Sequence, residues 1–306
     1  MPLLRLTSQG LGTLSLHILH SYFQLRGRKT PKTVWSMLPE KRLLVLAPHP
    51  DDETIGAGGT LAAARDVGAE IHVAVITDGC RAEHPHLTAE EIAQRRREEV
   101  KRATGLLGAE LSLWEITDGE LKVELPVEPM SQLLLDWQPD AVLLPCFLDY
   151  HPDHAAVTRL LEAGIAALPE KLRPQTLYLY QVQTPLSVSN IDLLVDTTPY
   201  APVKDSLLEC YQQPVNFSLL QKMETLYPGL GRFRGTAECF ARLEPALYFQ
   251  AHHRWQQERS TRKRKLPGCL PLFSPVNKEY RLLWDYFKGY KEKQRLARIR
   301  QELIQE

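Results

Sequence analysis

Leu43-Leu44-Val45-Leu46-Ala47-Pro48-His49-Pro50-Asp51-Asp52-Glu53 is the stretch on which the fold turns. Its first half is a continuous apolar run, which reads as a buried strand. Its second half crowds one imidazole and three carboxylates into the turn that follows. An α/β sheet puts its chemistry in such turns, just past the carboxyl ends of its strands. About a hundred residues later the pattern returns, with an apolar run at 141–144 leading to His151-Pro152-Asp153-His154. Two loops of this kind, distant in sequence, can meet around one ion. Imidazole with carboxylate and without thiolate suits a borderline metal such as zinc, in a site with an open position.

Outward from that stretch the hydrophobic period alternates. Residues 55–67 have helical spacing and 70–77 (EIHVAVIT) form a second strand. Thr88-Ala89-Glu90-Glu91 is a capping signal for a long charged helix, which Gly108 ends. Further strands are expected at 111–116, 141–144, 176–181 and 191–195, and helices at 129–137, from 154 to 167 and at 199–211. This rhythm predicts an α/β, Rossmann-like fold with a mostly parallel sheet and helices on both faces. From 214 onward the pattern weakens. Residues 1–39 read as an N-terminal amphipathic helical extension, 40–250 as the α/β domain, and 251–306 as a basic segment with a C-terminal helix.

Composition narrows the function classes. Lys plus Arg and Asp plus Glu number 37 each in 306 residues, so no overall field draws the chain to nucleic acid, and no nucleic-acid partner is expected. Cys80, Cys146, Cys210, Cys239 and Cys269 are odd in number and lack C-x-x-C spacing. That argues against a disulfide framework and a thiolate zinc site, and for reduced thiols in the cytoplasm. No stretch of eighteen apolar residues is present. Residues 11–25 (LGTLSLHILHSYFQL) lack the charge order and small-residue end of a signal peptide. Two readings of this helix stay open, packing on the domain and peripheral contact with a membrane. The basic run containing Arg254, Arg259, Arg262, Lys263, Arg264 and Lys265 reads first as a solvated loop.

The two loops carry the chemistry. His49, Asp52 and His154 are the candidate ligands, since two histidines and an aspartate can hold zinc and leave room for a water of lowered pKa. With Asp52 on the metal, its neighbour Asp51 is the candidate general base. A protonated His151 can stabilise the oxyanion or protonate the leaving amine. The plain alternative is that His-Pro and Asp-Asp pairs are turn formers. Two such clusters, each at the end of an apolar strand, exceed what turns require. Glu53 is either a helix N-terminal charge or a partner to a ligand histidine. The glycines at 56, 58 and 59 do not fit a dinucleotide fingerprint, and read as permitting close approach of helix to sheet.

Ala47-Pro48-His49-Pro50-Asp51-Asp52-Glu53, Gly56-Ala57-Gly58-Gly59-Thr60, Thr77-Asp78-Gly79 and His151-Pro152-Asp153-His154 together resemble the PIG-L/LmbE-like zinc-dependent N-deacetylases, over roughly residues 40–240. The resemblance implies zinc on His49, Asp52 and His154, Asp51 as general base, and His151 assisting at the oxyanion or leaving group. It implies that Asp153 orients His151; the bare sequence equally makes it a helix cap. Arg96 fits the family's R-x-x-E frame ahead of A-x-x-x-L-G and is a candidate substrate contact, with a surface helix charge as the alternative. Arg234-Gly235 and Ala237-Glu238-Cys239-Phe240 resemble late signatures with a shortened spacer. The implied substrate is an N-acetylglucosaminyl conjugate. The rivals are a larger, lipid-linked or nucleotide-linked amide, and a noncatalytic metal-dependent glycan-binding module. Sugar, aglycone, physiological metal and oligomeric state stay open.

Overall fold

A computed structural model describes residues 8–82, 84–121, 127–149, 151–212, 218–260, 286–287 and 289–306. The strands are β1 (Thr33–Trp35), β2 (Arg42–Ala47), β3 (Glu70–Thr77), β4 (Glu110–Ile116), β5 (Ala141–Pro145), β6 (Thr176–Tyr180), β7 (Leu193–Asp196) and β8 (Ala237–Leu243). The helices are α1 (Ser8–Lys29), α2 (Asp52–Asp66), α3 (Ala89–Leu107), α4 (Glu128–Trp137), α5 (Pro152–Ala166), α6 (Ala201–Leu208), α7 (Ser218–Leu226), the single turn α8 (Pro228–Gly231), α9 (Pro245–Ser260) and α10 (Tyr290–Gln305).

All eight strands join one sheet in the order β1-β7-β8-β6-β5-β2-β3-β4. Only β8 runs against its neighbours, antiparallel to β6 and β7; every other pairing is parallel. The mostly parallel sheet expected from the sequence is therefore present. Its apolar runs are buried on both faces. Along β2, Leu43, Val45 and Ala47 join one core with α2 and α6, while Leu44 and Leu46 join the other, with α5 and α9. That is the two-residue period of a strand used twice.

Strand order explains where the chemistry lies. The chain builds β2, β3 and β4 outward on one side, then returns to place β5 and β6 on the other side of β2. The loops leaving β2 and β5 are thus adjacent at the switch point, where α/β sheets form their crevice. The expected capping box is formed by Thr88 and Glu91, and Gly108 closes α3 at φ 63°.

Helix α2 approaches the sheet as closely as its glycines permit. A Cβ on Gly56 would lie 2.2 Å from the Tyr180 ring, and one on Gly59 would lie 2.8 Å from Thr197. In an ordinary helix Gly→Ala gains about 1 kcal/mol. Here overpacking reverses the sign, and Gly56→Ala should cost about 1–3 kcal/mol. Urea denaturation checks this, and an unchanged or higher midpoint would contradict it.

The peripheral segments differ more from their sequence reading. Helix α1 packs through an i, i+4 ridge of Ser15, Leu19, Phe23 and Gly27, leaving Leu14, Ile18 and Leu25 exposed. Among the described residues no helix is long and apolar enough to cross a membrane. The first part of the basic run, to Ser260, continues α9 rather than forming a loop, and His252 is buried. Arg262, Lys263, Arg264 and Lys265 lie outside the described residues.

Candidate metal centre and active site

His49 sits in the turn after β2, Asp52 opens α2, and His154 lies in the first turn of α5. Their donor atoms form a triangle: His49 Nδ1 to His154 Nε2 is 3.1 Å, His49 Nδ1 to Asp52 Oδ2 is 3.2 Å, and His154 Nε2 to Asp52 Oδ2 is 3.2 Å. Tetrahedral bonds of about 2.0–2.1 Å require ligand atoms about 3.3 Å apart. The triangle matches that spacing closely. All three side chains are buried, and their donors are the nitrogen and oxygen types that zinc accepts.

Each histidine is braced from behind. His49 Nε2 lies 3.2 Å from Asp118 Oδ1 and 3.4 Å from Asp153 Oδ2, and His154 Nδ1 lies 3.2 Å from Asp149 Oδ1. Carboxylates on the far nitrogen fix the ring and raise its basicity as a ligand. Asp149 is held in turn by the backbone N–H groups of His151, Gln183 and Thr184. Neither Asp118 nor Asp149 was among the sequence candidates. Asp118 had a legible signal, because Thr117-Asp118-Gly119 repeats Thr77-Asp78-Gly79 after the next strand. The two loops are joined by a bond from Asp118 N–H to Asp78 Oδ1, 3.0 Å.

Asp51 stands in a strained turn at φ 128° and ψ −23°, where a residue with a side chain is uncommon. Glu53 accepts from its backbone N–H at 3.2 Å and is itself anchored by Thr54 Oγ1 and the Tyr211 hydroxyl. Glu53 therefore holds the turn from the first turn of α2, and no contact joins it to a ligand histidine among the described residues. Arg96, expected at the substrate or on the helix surface, is only 4% exposed. It pairs with Asp51 Oδ2 at 3.0 Å and donates to the Pro50 carbonyl. Arg96 thus lies behind the candidate base.

His151 caps α5, its Nδ1 accepting from the Asp153 N–H at 3.3 Å. That bond assigns the proton to Nε2. The ring meets His49 edge to face, with centroids 4.4 Å apart. Asp153 Oδ2, taken from the sequence as the partner of His151, lies 3.8 Å from His151 Nδ1 and closer to His49, and accepts from Gly119 N–H at 2.7 Å.

Electrostatics separates these groups. Burial pushes the Asp51 carboxyl up to about 7, against the pull of Arg96 and with help from Asp52. Asp52, despite its burial, is held well below the carboxylate range by His154 and His49. Burial, followed by His49 and His154, pulls His151 down, so the ring is neutral rather than protonated. Burial also favours neutral His154, but Asp52 and Asp149 overcome it and hold the ring at about 9. A ring held at 9 carries its proton below that pH and must lose it to bind a metal. Zinc binding to the metal-free protein at pH 7.5 should therefore release protons, with affinity rising as pH approaches 9. Calorimetry in buffers of different ionisation enthalpy reads this, and a heat independent of buffer would contradict it.

Residues 44–165 match the family model described as PIG-L: GlcNAc-PI de-N-acetylase. That segment is similar to this family. The match contains His49, Asp52 and His154 and every bracing carboxylate described above. The chain is 34% identical over 137 residues to a diacetylchitobiose deacetylase of Thermococcus kodakarensis, covering 42% of this chain and 51% of that protein. It is 29% identical over 147 residues to a probable N-acetyl-alpha-D-glucosaminyl L-malate deacetylase 2 of Bacillus anthracis, covering 45% and 65%. A 4-oxalmesaconate hydratase of Pseudomonas putida is 30% identical over 145 residues, covering 44% and 56%. The chain thus spans about half to two thirds of the length of these relatives. The chain also shares its fold with N,N'-diacetylchitobiose deacetylase from Pyrococcus horikoshii, at a TM-score of 0.60 and 24% identity over 69% of this chain and 86% of that one.

Proposed function

We propose that this protein is a metal-dependent deacetylase that hydrolyses the N-acetyl group of an N-acetylglucosaminyl conjugate. The observation that carries the reading is the triangle of His49, Asp52 and His154 donors, with the Arg96-paired Asp51 next in the same turn. The two deacetylases among the relatives support it.

His49, Asp52 and His154 would hold zinc, which when bound polarises an acyl oxygen and lowers the pKa of water. Arg96 engages Oδ2 of Asp51, which leaves Oδ1 to take a proton from the attacking water. Its proton affinity, near neutrality, suits a group that accepts a proton and then returns it. The water oxygen bonds to the acyl carbon as His151 donates from Nε2 to the developing oxyanion. The C–N bond then breaks and the proton on Asp51 passes to the leaving nitrogen, giving acetate and a free amine. A binding module would need the ligands but not a buried carboxylate held by a guanidinium, so the Asp51–Arg96 pair argues against that rival.

Metal-loaded protein incubated with a panel of N-acetylglucosamine conjugates should release acetate. If none of the panel yields acetate, the reading fails. The hydratase relative names the second reading, water added to a carbon–carbon double bond, which loss of ultraviolet absorbance from an unsaturated acid would reveal.

A further inference from the structure

A cavity of about 270 Å³ opens beside the metal cluster, with His151 and Pro152 on its inner wall and Thr184, α9 and α10 supplying its outer wall. Phe147 and Trp255 form an aromatic shelf, their ring centroids 5.3 Å apart, and His252 lies 4.7 Å from Phe147. Among the described residues, two buried polar atoms on these walls have no partner, Nδ1 of His252 (3% exposed) and the hydroxyl of Thr184 (7% exposed), and half-buried Arg159 lines the same cavity. Buried polar groups are nearly always hydrogen-bonded, so two unpartnered ones around one cavity point to a ligand that completes them.

The charges on the walls give the sign of that ligand. Asp149 is committed to His154 and to backbone N–H groups, and Glu292 accepts from Trp255 Nε1 and Arg295. Lys293 donates to the Tyr286 carbonyl. The acids are thus engaged, while Arg159 lines the cavity with a guanidinium whose fork matches a carboxylate or a phosphate.

We propose that this cavity is the aglycone subsite, and that it takes an aglycone bearing an anionic oxygen group, paired with Arg159 while Phe147 and Trp255 pack its carbon skeleton. The proposal rests on the hydrolysis of an N-acetylglucosaminyl conjugate argued above, and gives that substrate its second half. The outer wall lies beyond residue 165, outside the segment matched by the family model, whereas Arg159 and Phe147 lie within that segment.

Three probes test it: phenyl N-acetylglucosaminide, its 4-carboxyphenyl analogue, and N-acetylglucosamine 1-(phenyl phosphate), each as both anomers. At least one anionic probe should exceed the neutral one about tenfold in kcat/KM. Arg159→Met should abolish that ratio and Arg159→Lys should keep part of it. Whether the carboxylate or the phosphodiester is favoured identifies the anion. Equal ratios in wild type and Arg159→Met, or no preference in wild type, overturn the subsite. Calorimetric binding of the corresponding free amines separates the two claims. If nothing is deacetylated but anionic amines bind about tenfold more weakly to Arg159→Met, the subsite stands and the hydrolysis falls. Turnover or binding indifferent to Arg159 sinks the subsite alone.

Discussion

Asp51→Asn should fold, hold its metal at full stoichiometry, and release acetate slower by a factor of about 10²–10⁴, the span that positioned proton transfer contributes. Asparagine is the right substitution at this position. It tolerates positive φ better than most residues, and φ here is 128°. It also keeps an oxygen for Arg96, which would otherwise be an unpaired buried cation. What it removes is the capacity to take a proton near neutral pH. Metal analysis and an acetate assay on the same preparation decide the matter. Undiminished turnover in a metal-loaded variant would remove Asp51 from the mechanism, and loss of metal together with turnover would make it a ligand-shell residue instead.

His154→Ala should fail earlier. Changing a carboxylate that only braces a ligand costs about 10–100-fold in metal affinity, so loss of a ligand ring should cost at least about 100-fold. The fold should also suffer, because His154 is the group that both Asp52 and Asp149 face. Both carboxylates are held low partly by this ring, and alanine leaves them buried without that partner. Breaking a buried ion pair from one side costs about 3–5 kcal/mol. The variant should therefore bind little zinc by equilibrium dialysis and unfold at lower denaturant than Asp51→Asn. Wild-type metal affinity in a stable His154→Ala protein would show that the triangle is not the binding site.

Much of this was legible in the sequence because it is local. The apolar run from Leu43 to Leu46, the loop that follows and the Thr88 capping box are each written in a few consecutive residues. Strand β8 was not legible, because Glu238 lies buried near its start and interrupts the apolar run. Its charge makes sense only beside Lys204, which donates to it at 2.5 Å from a different element. Arg96 was misplaced for the same reason. A basic residue on a helix reads as surface or substrate contact until the strained turn 45 residues earlier brings Asp51 to it. Asp149 is a single carboxylate after a strand, which sequence alone cannot distinguish from a turn former.

Glu238 and Lys204 do more than pair with each other. The carboxylate accepts the N–H groups of Gly59 and Thr60, and the ammonium takes the carbonyl of Ile55, four residues before Gly59. Side chains from beyond residue 200 are thus spliced into the middle of α2, the helix that begins with Asp52. The segment matched by the family model, residues 44–165, is consequently not an autonomous cassette. Grafted elsewhere, or expressed as a truncation ending near residue 165, it would leave that helix with severed bonds and Asp52 without a fixed bearing. Chimeras that keep α6 and β8 together with it are the ones that should survive.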